Sequence, residues 1–66
     1  MKGEVRSYNA KNGYGFITQD NKDYRFKTKD WGLRLGPVPG MRVEFDSFAT
    51  DKGLRATNIR KEKLDG

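Results

Sequence analysis

The side chains best suited to molecular recognition in this chain are Tyr14 and Phe16, which flank Gly15 in the stretch Lys11-Asn12-Gly13-Tyr14-Gly15-Phe16-Ile17-Thr18. Successive side chains on a strand point to opposite faces, so Tyr14 and Phe16 share one face while Gly15 and Ile17 share the other. With Ile17 claiming the inward face, two rings stand side by side on the outside, where an ordinary soluble domain places threonine, lysine or glutamate. Paired exposed rings stack against something flat. In a chain of net charge +5, the flat partner that makes most physical sense is a nucleobase on a phosphate backbone. Arg6, Lys11, Arg25 and Lys27 are the cations placed to steer and hold such phosphates.

Covalent chemistry finds little support. The chain has no cysteine and no histidine, which removes a thiol nucleophile, a disulfide framework and the usual zinc sites. Asp20, Asp23, Asp46 and Asp51 fall in turn-like or exposed contexts with no nucleophile or metal partner to organise a reaction. The expectation is a binding protein rather than an enzyme, with no cofactor, no metal and no small-molecule substrate.

What must position the rings is a set of short strands. Turn signals punctuate the chain at strand-like intervals, and no segment keeps a helical period. Residues 2–9 form the first expected strand, with Val5 as its apolar anchor and Lys2, Glu4 and Arg6 on the alternate face. Asn12-Gly13 tolerates positive φ and predicts a tight hairpin into residues 14–19. Asp20 to Asp23 makes a polar turn into Tyr24-Arg25-Phe26-Lys27-Thr28, whose alternation turns Tyr24 and Phe26 inward and Arg25 and Lys27 outward. Residues 29–40, with Gly36-Pro37-Val38-Pro39-Gly40, are hostile to helix and central strand and predict a long crossover. Met41, Val43 and Phe45 face inward on a fourth strand. Asp51-Lys52-Gly53 turns the chain into a fifth over residues 54–61, with Ile59 inward. Phe48 falls out of phase with its strand's inward series, facing outward or marking a bulge.

Five short antiparallel strands, as a meander, a crossover and a hairpin, suit a small all-β barrel, because closure removes exposed sheet edges. A five-stranded OB-type barrel fits best, and an SH3-like barrel of similar size stays open on pattern alone. The chain of 66 residues makes one domain, expected over 1–61, with a frayed tail over 62–66. Its polar exit at Lys61-Glu62-Lys63 would also suit a linker in a longer protein. No apolar run approaches the roughly 20 residues of a membrane span, and no secretory segment opens the chain. A cytoplasmic protein with no membrane partner is the expectation.

The pattern Gly3-x-Val5-x-x-Tyr8-Asn9-Ala10-x-x-Gly13-Tyr14-Gly15-Phe16-Ile17-Thr18 closely resembles the N-terminal half of bacterial cold-shock proteins, including their first ribonucleoprotein-type motif. The resemblance continues more faintly through Asp23-Tyr24-Arg25-Phe26-Lys27, Gly40-x-x-Val43-x-Phe45, Lys52-Gly53 and Ala56-x-Asn58-Ile59. It implies an OB barrel that binds single-stranded RNA or DNA with little sequence preference and without catalysis, and by analogy RNA chaperoning or expression control. Carried over by position, it implies that Tyr8, Tyr14 and Phe16 contact bases and that Arg6 and Lys52 lie beside them.

The chain also departs from that family. Ser7 stands where the family carries a tryptophan, and Arg25, Lys27 and Thr28 replace the aromatic, histidine and aromatic of the second motif. Asn12 replaces a lysine, with Lys11 one residue earlier. Each lost ring removes roughly 1–3 kcal/mol of stacking, so weaker binding than a fully ringed relative is expected. Arg25 can recover part of this, since a guanidinium plane stacks on a base and pairs with phosphate. Tyr8 has two readings, base contact or cover for a barrel end. Trp31 likewise either fills the barrel end, the commoner fate of a lone tryptophan, or substitutes from the long loop for the missing first-strand ring. The rival function is a protein-interaction or structural module that kept the barrel and lost base binding, as Ser7 and Thr28 suggest.

Overall fold

Apolar residues alternating with charged ones shape nearly every strand of the chain, which a computed structural model describes over residues 1–62. The strands are β1 (Lys2–Asn9), β2 (Tyr14–Gln19), β3 (Lys22–Lys27), β4 (Arg42–Thr50) and β5 (Gly53–Lys61). They close into a barrel in the order β1-β2-β3-β5-β4, with β4 paired back onto β1. This is the expected five-stranded OB-type architecture. One seam departs from the all-antiparallel expectation, because β3 and β5 run parallel through Arg25 and Arg55. The reason is parity: a closed ring with an odd number of strands cannot have every neighbour antiparallel.

Val5, Ile17, Tyr24, Phe26, Val43, Phe45, Ala56 and Ile59 form the buried core. Burying each large apolar side chain contributes about 1.5–3 kcal/mol. The inward assignments of Val5, Ile17, Tyr24, Phe26, Val43, Phe45 and Ile59 all hold, and half-buried Met41 packs against the same cluster just ahead of β4.

The hairpins differ from expectation in which turn is tight. Gln19 pairs with Lys22 across Asp20-Asn21, both at positive φ (51° and 63°), so this is the two-residue turn. Asn12-Gly13 instead belongs to a wider loop between the paired residues Asn9 and Tyr14. There Gly13 alone takes positive φ, and its N–H donates to the Asn9 carbonyl at 2.8 Å. The Asn9 side-chain oxygen accepts from Asn12 N–H at 3.1 Å and holds the wider loop. β3 also starts earlier than expected, at Lys22, and ends at Lys27 because Thr28–Asp30 winds into one turn of 3-10 helix.

Two register breaks reset the alternation. Val5 pairs with Ile17 but Ser7 pairs with Phe16, so β1 carries an extra residue at this point. On β5 the pairings Glu44 with Arg60 and Asp46 with Thr57 leave an extra residue near Asn58, whose φ is 51°. Each bulge flips every side chain beyond it to the opposite face. At the C-terminal end, the Glu62 carboxylate accepts from Arg42 Nε at 3.1 Å, while the remainder of the expected tail, 63–66, lies outside the described residues.

Candidate nucleic-acid interface

Gly15 is what lets β2 show two rings to solvent. A Cβ at this position would collide with the Ser7 carbonyl and lie 2.7 Å from Phe26 Cζ, so the inner face of β2 accepts only hydrogen where the Phe26 ring passes. Tyr14 and Phe16 are thereby left on the outer face, partly exposed, their centroids 6.0 Å apart and their planes at 87°. Both sequence-chosen rings are together on one surface.

β3 supplies the cations beside them. Phe16 pairs across the ladder with Arg25, and Tyr14 with Lys27. The Arg25 guanidinium carbon lies 5.0 Å from the Tyr14 centroid, within cation–π range. On the other flank Phe16 pairs with Ser7, so the position that would carry a third ring on this face holds only a hydroxyl.

Tyr8 and Trp31 are brought to a different place. Because of the β1 bulge, Tyr8 follows Gly15 onto the inward side, and its ring stacks on Phe26 at 5.9 Å with planes 6° apart. Its hydroxyl shares a 2.9 Å hydrogen bond with the Thr28 hydroxyl. Trp31 stacks on Phe26 at 5.7 Å, and its indole N–H donates to the Leu35 carbonyl at 2.6 Å. Both residues are half-buried against the core. Of the two readings open for each, this packing corresponds to closing the barrel.

The remaining cations divide. Arg6 is ion-paired with Asp23 at the exposed edge of β1. Lys11 is exposed in the loop between β1 and β2. Lys52, in the turn between β4 and β5, joins Arg25, Lys27, Thr50, Asp51, Leu54 and Arg55 around an open groove of about 350 Å³. Asp30 braces that groove from below: its carboxylate accepts from Lys27 N–H at 2.9 Å, Arg55 Nη2 at 3.3 Å and the Thr57 hydroxyl at 3.2 Å.

Two further residues on this face are Arg55, which sequence reasoning missed, and Phe48, which takes the outward one of its two readings. Arg55 pairs with Arg25 across the parallel seam and with Phe48 across the β4–β5 hairpin, with its guanidinium carbon 5.9 Å from the Phe48 centroid. Phe48 keeps the outward phase of β4, and no bulge intervenes between it and Asp46. Its mismatch with Val43 and Phe45 was the available signal. Arg55 gave none, because counting back by twos from inward Ile59 turns Arg55 inward, and only the bulge at Asn58 reverses that.

Asp46, exposed on β4, is more acidic than an ordinary aspartate. The Asn58 amide donates to it at 3.1 Å and, with the nearby Arg60 guanidinium, holds its carboxyl below the usual value of 3.8. Among the described residues no group of three potential metal ligands gathers, and no helix is long and apolar enough to cross a membrane.

No protein-family model matches the sequence. Among curated proteins, the chain is 36% identical over 63 residues to the cold shock-like protein CspG of Shewanella violacea, an alignment that covers 86% of this chain and 87% of that protein.

Proposed function

This chain belongs to the cold-shock protein family, and from that premise we propose that it binds single-stranded RNA or DNA, without catalysing a reaction, by stacking bases on Tyr14 and Phe16. The observation that carries the reading is the partly exposed pair of rings on β2 with Arg25 and Lys27 in register beside them. A base has two flat faces and an attached anion. The rings take the flat faces whatever the base, and the cations of β3 take the phosphate, so sequence preference is weak. Lys11 and Lys52 widen the positive field at either side, and Arg6 adds to it less because Asp23 already neutralises it. A part in RNA chaperoning or expression control follows by analogy with the family.

Ser7 opposite Phe16, and Thr28 turned toward Tyr8, leave this face with fewer rings than the family pattern. Affinity is accordingly lower than for a relative carrying the full set. Anisotropy of a labelled oligopyrimidine, with a matched duplex as control, tests the reading at low and moderate salt. Single-strand binding that survives moderate salt, and falls about a hundredfold in the double variant Tyr14→Ala/Phe16→Ala, supports stacking. Unchanged affinity in that variant sinks the stacking mechanism. Equal and wholly salt-dependent binding to both strands and duplex, or none at all, leaves the barrel as a protein-contact module.

A further inference from the structure

Phe48 is the one aromatic side chain among the described residues that is exposed rather than buried or half-buried, at 47% of its surface. It is also in register with the stacking face. Following ladder partners around the outside of the barrel gives Phe16 on β2, Arg25 on β3, Arg55 on β5 and Phe48 on β4. We infer that a bound single strand continues past Tyr14 and Phe16, crosses the β3–β5 seam, and stacks a further base on Phe48, with a phosphate seated between Arg25 and Arg55. The inference rests on the single-strand reading above and extends its site.

Three features support this path. Arg25 and Arg55 are ladder partners across the seam and line the same open groove, so a phosphate there meets two guanidinium side chains, of which, among the described residues, only Arg55 has a carboxylate partner, Asp30. Asp30 fixes Arg55 through Nη2, while Arg55 Nε is buried with no hydrogen-bond partner in the protein. The ground between the two rings is also cationic: Arg25, Lys27, Lys52 and Arg55 line it, against the carboxylate of Asp51 and that of Asp30 bound to Arg55. Lys27 and Lys52 count against a protein partner, because lysine is depleted from protein–protein interfaces. Finally, three strand spacings of about 4.8 Å separate Phe16 from Phe48, roughly 14 Å. That span is about two to three nucleotides of an extended strand, so rings at both ends fit within the site of about 4–16 nucleotides that one OB barrel occupies.

Oligonucleotide length separates this extension from the parent site. Oligopyrimidines of about two nucleotides, enough for Tyr14 and Phe16 alone, and of about ten are titrated against the unaltered protein, Phe48→Ala, Phe48→Trp and Tyr14→Ala/Phe16→Ala, with melting curves confirming each fold. The expected result is that Phe48→Ala loses about tenfold in affinity for the longer strand and less than about twofold for the shorter, and that Phe48→Trp restores the longer. Phe48→Ala binding both lengths as the parent does, or losing equally on both, overturns the extension. If the Tyr14/Phe16 variant still loses affinity in that case, the parent site stands. Absence of binding by the unaltered protein overturns both.

Discussion

The guanidinium carbon of Arg25 stands 5.0 Å from the centroid of the Tyr14 ring, reaching diagonally back from β3 to β2. Since Phe16 is the direct ladder partner of Arg25 and Lys27 that of Tyr14, this contact links both cations and both rings into one surface. It also makes Arg25 more than a point charge, because a guanidinium held against a ring adds a further flat element to the platform.

Replacing Arg25 by lysine therefore separates plane from charge. Arg25→Lys lowers single-strand affinity several-fold while leaving the dependence of log K on log salt nearly unchanged. Arg25→Ala lowers affinity further and reduces the salt slope by about 0.7, the value for one phosphate contact on a single strand. Titrations at four or five salt concentrations distinguish the two; a lysine variant that binds as well as the parent removes the stacking role of Arg25.

Gly15 admits no side chain. Its added Cβ meets the Ser7 backbone, which cannot swing aside, as well as the Phe26 ring. Gly15→Ala costs about 3 kcal/mol, the upper end for overpacking a core, and in so small a domain this brings the midpoint of urea unfolding down steeply or abolishes folding. A variant with parental stability in urea would show that β1 and β2 can part at this point.

Asp30 holds the start of the crossover to both β3 and β5 through Lys27 N–H, Arg55 and Thr57, with its side chain only 10% exposed. Asp30→Ala leaves three donors without their acceptor and costs about 2 kcal/mol, lowering Tm by roughly 8–16 °C in a domain of this size. Asp30→Asn, which keeps one acceptor oxygen, falls between. A melting temperature within a degree or two of the parent in Asp30→Ala would show the brace to be dispensable.

Asp46 gives stability a specific dependence on acid. The Asn58 amide and the Arg60 charge favour its ionised form in the folded protein, so its folded pKa lies below the 3.8 of an unperturbed carboxyl. The unfolded chain then binds more protons, and the stabilisation is complete above the unfolded value and lost as pH falls through the folded one. The Tm difference between the parent and Asp46→Asn is accordingly largest near neutrality and shrinks as pH falls through the unperturbed value of 3.8 and below it. A difference that does not change with pH would assign the effect to packing at the Asn58 bulge instead of to charge.

Much of the barrel was legible from alternation alone. Val5, Ile17, Tyr24, Phe26, Val43, Phe45 and Ile59 are apolar at strand-like intervals, and all are buried. Gly15 between two rings was enough to turn Tyr14 and Phe16 outward, because the face opposite Ile17 is set by the pleat of β2 itself. Which turn is tight was less legible: Asn-Gly is the stronger signal for a two-residue hairpin, yet Asp20-Asn21 takes that geometry, because the β1–β2 ladder stops at Asn9 with Tyr14 and leaves a wider gap.

What only the tertiary structure decided follows from the same local rule of alternation. A period of two carries no memory of an inserted residue, so the extra residues near Arg6 and Asn58 invert everything beyond them. The first takes Tyr8 off the outer face and stacks it on Phe26; the second puts Arg55 on the outer face, against Arg25. Barrel closure then joins strands distant in sequence, and with an odd number of them it must do so through one parallel seam. That seam sets Phe16, Arg25, Arg55 and Phe48 in one row, a neighbourhood that no spacing along the chain encodes, because it exists only once β5 has returned to lie beside β3.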